Sequence, residues 1–207
     1  MKEKIKDYLY KILCIYQRIK YKILLYNFNI DPWHLSGTFY CRKYKIKTLE
    51  IINKIKPDYY IDIGCGLGEI LSKVNLKNKN KFGFDIDNKL ELAIKKINPN
   101  FYFSSDKEEF FDLLRKKIEG ENKKIIVSLL NFSHTITEKE FYIYLNTLNK
   151  ILGPYILITD SVFDKSKEYK YHHKSFIDKQ EKIIEYIERI DQIRSLYCIS
   201  FENGIIK

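Results

Sequence analysis

From Pro57 onward the chain alternates short strand-forming runs with longer amphipathic ones, and that order restricts it to a small group of folds. Strand-like runs fall at 59–63, 81–86, 101–104, 124–130 and 155–159. Helix-like runs fall near 68–75, 88–97, 106–118, 138–151 and 175–188. Five βα units of this kind imply a doubly wound α/β fold, a mostly parallel sheet with helices on both faces. Helix starts are marked by Ser105-x-x-Glu108 and Thr137-x-x-Glu140, the spacing of a capping box ahead of an apolar-periodic run. Residues 189–202 read as one or two closing strands whose turn the pattern does not place.

The first 56 residues differ in kind. Ile5, Leu9, Ile12, Tyr16, Ile19, Ile23 and Tyr26 recur at helical spacing among seven basic residues, which predicts a basic amphipathic helix over 1–26. Pro32 keeps Asp31 out of helical conformation, so a break covers 27–36, and a second helix is expected over 38–55. We therefore divide the 207 residues into an extension or lid, 1–37, and one domain, 38–207. Residues 1–56 carry 13 Lys+Arg against 4 Asp+Glu, whereas 57–207 carry 24 against 23, so nearly all of the net +10 is N-terminal.

At 45% hydrophobic and 31% charged the chain can bury a core, which excludes a disordered protein. No run reaches the 18 or so apolar residues of a membrane span, and the first residues lack the apolar stretch of a secretory signal. Cys14, Cys41, Cys65 and Cys198 form no CxxC pair and read as free thiols. The expectation is a cytoplasmic protein in a reducing compartment.

Chemistry concentrates in the turn after the first strand, Asp62-Ile63-Gly64-Cys65-Gly66-Leu67-Gly68-Glu69. Gly64 suits a tight turn, Gly66 lets a ligand approach bare backbone, and Gly68 lets the next helix-like run pack close to the sheet. A nicotinamide-type GxGxxG needs glycine at 69, where Glu69 stands. Two carboxylates, Asp62 and Glu69, favour a cationic ligand over a pyrophosphate.

Asp62-x-Gly64-x-Gly66-x-Gly68 resembles the first motif of class I S-adenosylmethionine (SAM)-dependent methyltransferases, and the resemblance extends over about 38–190. That family ends its second strand in an acidic residue that binds the ribose hydroxyls. Here Asp85, followed by Ile86, stands 19 residues after Gly66. The resemblance implies SAM as cofactor, with Asp62, Gly64, Gly66, Gly68, Asp85 and Ile86 as binding residues. It places Asp106 at the adenine, although an acid in a first helical turn is also favoured by the helix dipole alone. Asn131-Phe132-Ser133-His134 would line the methionine end and the transfer site. N-terminal helices of the family often cover the cleft, which implies substrate or lid roles for Trp33, His34, Tyr40, Arg42 and Tyr44. Membrane-surface docking and plain packing of the first helix remain open beside that reading.

Missing features narrow the chemistry. The Asn/Asp-Pro-Pro-aromatic motif of nucleobase amino-group methylation is matched only at Asn131, and no cysteine follows a proline. Metal-dependent catechol-type enzymes carry Asp, then Asp-Asn, after strands four and five, where this chain has Asn131 and Asp160-Ser161, so no metal is expected. Methyl transfer to a hydroxyl needs a proton acceptor, and histidine titrates near neutral pH. His134 and His173 are the candidates, with Asp160 as a further catalytic carboxylate. The expected function is methylation of a small polar metabolite, such as a sugar hydroxyl of a polysaccharide building block. The alternatives are RNA methylation using the basic segment and a non-catalytic SAM-binding or membrane-docking module.

Overall fold

The computed structural model describes residues 2–118, 122–132, 135–162, 183–191 and 194–201. Helices α1 (Lys2–Leu24), α2 (Pro32–Ser36) and α3 (Lys43–Ile55), with a 3-10 turn at Phe39–Cys41, precede the first strand. Next come β1 (Tyr59–Ile63), β2 (Lys81–Phe84), α4 (Leu90–Ile97), β3 (Tyr102–Ser104), α5 (Lys107–Lys117) and β4 (Ile125–Leu129). The order closes with α6 (Glu138–Leu152), β5 (Tyr155–Val162), β6 (Ile183–Asp191) and β7 (Arg194–Phe201). The sheet order is β3-β2-β1-β4-β5-β7-β6. Strands β1 to β5 are mutually parallel, and β7 runs antiparallel between β5 and β6.

Both faces of the parallel strands are buried, and the two-residue period decides which side chain meets which layer. Ile61, Val127 and Leu157 face α5 and α6, against Phe110, Leu114, Phe141 and Leu145. Tyr60, Ile126 and Ile158 face the other way, against Ile51, Ile52, Leu71 and Val74. Each fully buried side chain of this size stabilises the fold by about 1.5–3 kcal/mol. A third cluster seats α1, where Tyr21 and Leu25 pack on Leu67, Leu90, Ala93 and Ile94.

Several expectations need correction. Residues 183–191 are strand β6, not the end of a helix, because pairing with β7 overrides a helical spacing of isoleucines; residues 175–182 lie outside the described residues. Over 68–75 the chain makes isolated turns and no regular helix, with Ser72 N bonding Gly68 O and Val74 N bonding Ile70 O. Helix α5 is capped by Asp106, whose side chain accepts from Glu109 N, and not by Ser105. The Thr137–Glu140 capping box is formed on both sides. Cys14 and Cys41 are joined in a disulfide, which overturns the reading of four free thiols and removes the cysteine argument for a reducing compartment. Cys65 and Cys198 keep buried thiols. Among the described residues no helix is long and apolar enough to cross a membrane.

Candidate cofactor site

The strand order reverses between β1 and β4, so the helices after them diverge and open a crevice at the carboxyl ends of these strands. The glycine turn fills that position. Gly64, Gly66 and Gly68 all have positive φ, which L side chains adopt only at a cost. At Gly68 no side chain fits, since a Cβ would come within 2.1 Å of the Phe101 ring. Gly66 faces the crevice beneath His34, and its N–H donates to Asp85 Oδ2 at 2.8 Å. Asp87 N donates to Asp85 Oδ1 at 3.2 Å, so the carboxylate that ends β2 is clamped beside the glycine turn. Burial raises the Asp85 pKa, against these two hydrogen bonds.

Asp62 lies opposite Ser128 in the β1–β4 register and accepts its hydroxyl at 2.5 Å. Ser128 Oγ is also 2.7 Å from Tyr60 Oη. A hydroxyl has a single proton, so with Ser128 donating to Asp62, Tyr60 donates to Ser128. Burial keeps the Tyr60 phenol protonated. Burial also pushes the Asp62 carboxyl up to about 7, although the Ser128 bond and Lys45 oppose it. Chain spacing does not single out Tyr60 and Ser128; the one signal for them is a lone serine inside the apolar run Ile-Ile-Val-Ser-Leu.

Glu69 lines the crevice with Asp62, and its carboxylate is held by protein donors. It is 3% exposed and accepts from Lys45 Nζ at 2.6 Å, Phe39 N at 3.0 Å and Gln17 Nε2 at 3.0 Å. Burial disfavours the Lys45 charge, but Glu69, Tyr44 and Asp62 together outweigh it and the lysine pKa is raised. Glu69 thus ties α1, the 3-10 turn and α3 to the glycine turn.

Trp33, His34, Arg42 and Tyr44 line a cavity of about 40 Å³ with Asp62, Gly64, Gly66 and Asn131. His34 lies over Gly66, its Nδ1 3.2 Å from where a Cβ would sit, and its Nε2 is 3.8 Å from Asp87 Oδ2. Burial lowers the His34 pKa despite the nearby Asp85 and Asp87, which favours the neutral ring. Asp31 starts α2 by accepting from Trp33 N, which places these two rings over the turn. Tyr40 points elsewhere, packing on Tyr10 and under Lys73. Ile86 is 79% exposed just beyond β2.

Asn131 has φ +55 at the end of β4. Its N–H donates to Asp160 Oδ1 at 3.0 Å, and Arg194 donates both to Asn131 Oδ1, at 2.8 Å, and to Asp160 Oδ2. The guanidinium lies over the Tyr44 ring. Asp160 is therefore a buried anchor joining β4, β5 and β7, and among the described residues no metal-binding group of carboxylates, histidines or cysteines occurs. His134 and His173 lie outside the described residues.

No family model and no curated protein matches the sequence. Solved structures do match. The N-methyltransferase NodS from Bradyrhizobium japonicum WM9, in complex with S-adenosyl-L-homocysteine (SAH), aligns with TM-score 0.61 and 13% identity, over 89% of this chain and 98% of that one. The chain has the class I methyltransferase fold. The class I fold is shared also with magnesium protoporphyrin IX methyltransferase ChlM from Synechocystis PCC 6803 with bound SAH (TM-score 0.51, 12% identity, 76% and 82% covered). A TehB-like SAM-dependent methyltransferase from Corynebacterium glutamicum gives TM-score 0.51 and 16% identity, with 75% and 86% covered.

Proposed function

We propose that the chain is a SAM-dependent methyltransferase acting on a small polar acceptor, with a hydroxyl of a sugar or surface-polysaccharide building block as the acceptor class. The observation that carries the cofactor assignment is Asp85 clamped by Gly66 N and Asp87 N at the strand-order reversal. With those donors filling one side of each carboxylate oxygen, lone pairs remain for two ribose hydroxyls. Ile86 offers an exposed apolar platform for adenine, and Asp106 Oδ2 can accept from the adenine amine while Oδ1 caps α5. Asp62 and the backbone of Gly64, both lining the crevice, suit an ammonium and the main chain of a methionine moiety. SAM supplies a methyl group on a positively charged sulfur that departs readily.

The chain's own residues bind, cover and deprotonate. A ligand of SAM's size needs roughly 300 Å³ or more, against about 40 Å³ between His34 and Gly66. Entry therefore displaces His34 and Trp33, and their return shields the site from water. Residues 1–37 act in this reading as a covering segment over the domain 38–207. His134, three residues past Asn131, or His173 takes the acceptor proton, and Arg42 and Tyr44 orient the acceptor.

Incubation with methyl-labelled SAM and fractionated cell extract tests the reading. Label should enter the small-molecule fraction. Label in RNA would transfer the activity to RNA methylation, and SAM binding without label in any fraction would leave a non-catalytic module. With an acceptor in hand, His134→Ala or His173→Ala should lower the rate by about 10²–10⁴ with SAM affinity retained. EDTA should have no effect on the wild type.

A further inference from the structure

One face of α1 holds the helix to the domain and leaves the opposite face without a partner among the described residues. Inward, Tyr21 and Leu25 are buried, Cys14 is joined to Cys41, and Gln17 reaches Glu69. Outward, Ile5, Leu9, Ile12, Tyr16, Ile19 and Ile23 stand between 48% and 70% exposed. Their spacing of four and three residues makes a continuous stripe along a helix about 35 Å long. Isolated exposed apolar residues are ordinary; a contiguous stripe of this length marks a contact surface.

We propose that this face docks onto an anionic lipid bilayer, with α1 lying in the plane of the headgroups. Charge selects the occupant. Lys11, Arg18 and Lys22 flank the stripe on one side and Lys6 and Lys20 on the other. Asp7, the one acid among the described side chains of α1, lines the groove toward α3, whose rim Lys6, Lys11 and Arg18 share, while Lys20 and Lys22 lie outside it. Pairing of two copies through the stripe would set the Lys20 and Lys22 rows against one another with no acid of the described α1 side chains between them, the reverse of a stable helix pair, whereas Lys6 is already paired with Glu50. Phosphate headgroups meet both cationic rows at once.

The shape agrees with lipid. Tyr8, exposed by 68%, widens the stripe with an amphipathic ring of the kind favoured at a headgroup boundary. Ile15 and Ile19 continue onto Pro32 and Leu35 of α2, forming a groove of about 490 Å³ with Arg18 and Lys22 at its edge. An acyl chain fits the apolar floor while its phosphate meets the two cations. The Cys14–Cys41 bond keeps α1 on the domain when its outer face is engaged.

Co-sedimentation of the full chain with vesicles tests this independently of methyl transfer. Vesicles of phosphatidylcholine mixed with anionic phosphatidylglycerol should pellet the protein. Pure phosphatidylcholine should bind at least about tenfold more weakly, and added salt should release the protein. Ile12→Glu with Ile19→Glu, and separately Lys11→Glu with Lys20→Glu, should each abolish pelleting with the melting temperature retained, since all four side chains are exposed. Absence of pelleting by the wild type, or pelleting unchanged in both variants, would overturn the proposal. So would a dimer in solution that the isoleucine variant dissociates and that vesicles do not disturb.

Discussion

Asp62 joins burial, chemistry and pH in one residue. Its carboxyl is raised from 3.8 to about 7, so the folded chain holds a proton that the unfolded chain loses across that interval. Stability from this group is therefore greatest at the acid end, falls as pH rises toward about 7, and is level above it. Asp62→Asn should flatten that slope in melting experiments between pH 5 and 7. A ligand ammonium beside Asp62 favours the charged form, so SAH should bind more tightly at pH 8 than at pH 6 and release a proton on binding. Calorimetry in buffers of different ionisation enthalpy measures that proton, which Asp62→Asn should eliminate. The placement of Asp62, Asp85 and the three glycines about one turn was legible because a strand, a glycine-rich turn and the next strand follow one another closely along the chain. Tyr60 and Ser128 were not, because their hydroxyls meet Asp62 through strand pairing and side-chain rotation that spacing does not encode. Lys45 was hidden for the same reason, 24 residues from Glu69.

At the scale of elements, the N-terminal helices depend on two cross-links. Lys45→Ala leaves the buried Glu69 with backbone and amide donors only and should cost about 2–4 kcal/mol, less than a fully buried pair because Lys45 is partly solvated. Urea titration reads that loss. The Cys14–Cys41 bond closes a span of 27 residues, so reduction should cost about 3–4 kcal/mol in the chain-entropy description. Dithiothreitol should lower the melting temperature of the wild type and leave Cys14→Ser/Cys41→Ser unaffected. The parallel strands and α4 to α6 were legible because apolar periodicity and the Thr137 cap agree locally. Strand β6 was not, since Ile183, Ile187 and Ile190 satisfy a helical spacing equally well and only β7 decides between the two. The disulfide was invisible for a related reason: Cys14 and Cys41 meet only after α1 folds back over the 3-10 turn.

For the whole molecule, topology explains why a chain with no sequence match still declares a site. Reversal of strand order opens one crevice, the glycine turn lies in it, and Asp85 on the neighbouring strand completes it. The charge excess lies in residues 1–56, ahead of β1, a segment that includes the exposed stripe of α1. Calorimetric titration of SAH into wild type and Asp85→Ala puts the cofactor assignment to the sharpest test. Binding to the wild type should be saturable and weakened by about 1.5–3 kcal/mol in Asp85→Ala through loss of charge-assisted bonds, and NAD should not bind. Equal SAH affinity in the two proteins, or NAD binding in place of SAH, would contradict the assignment.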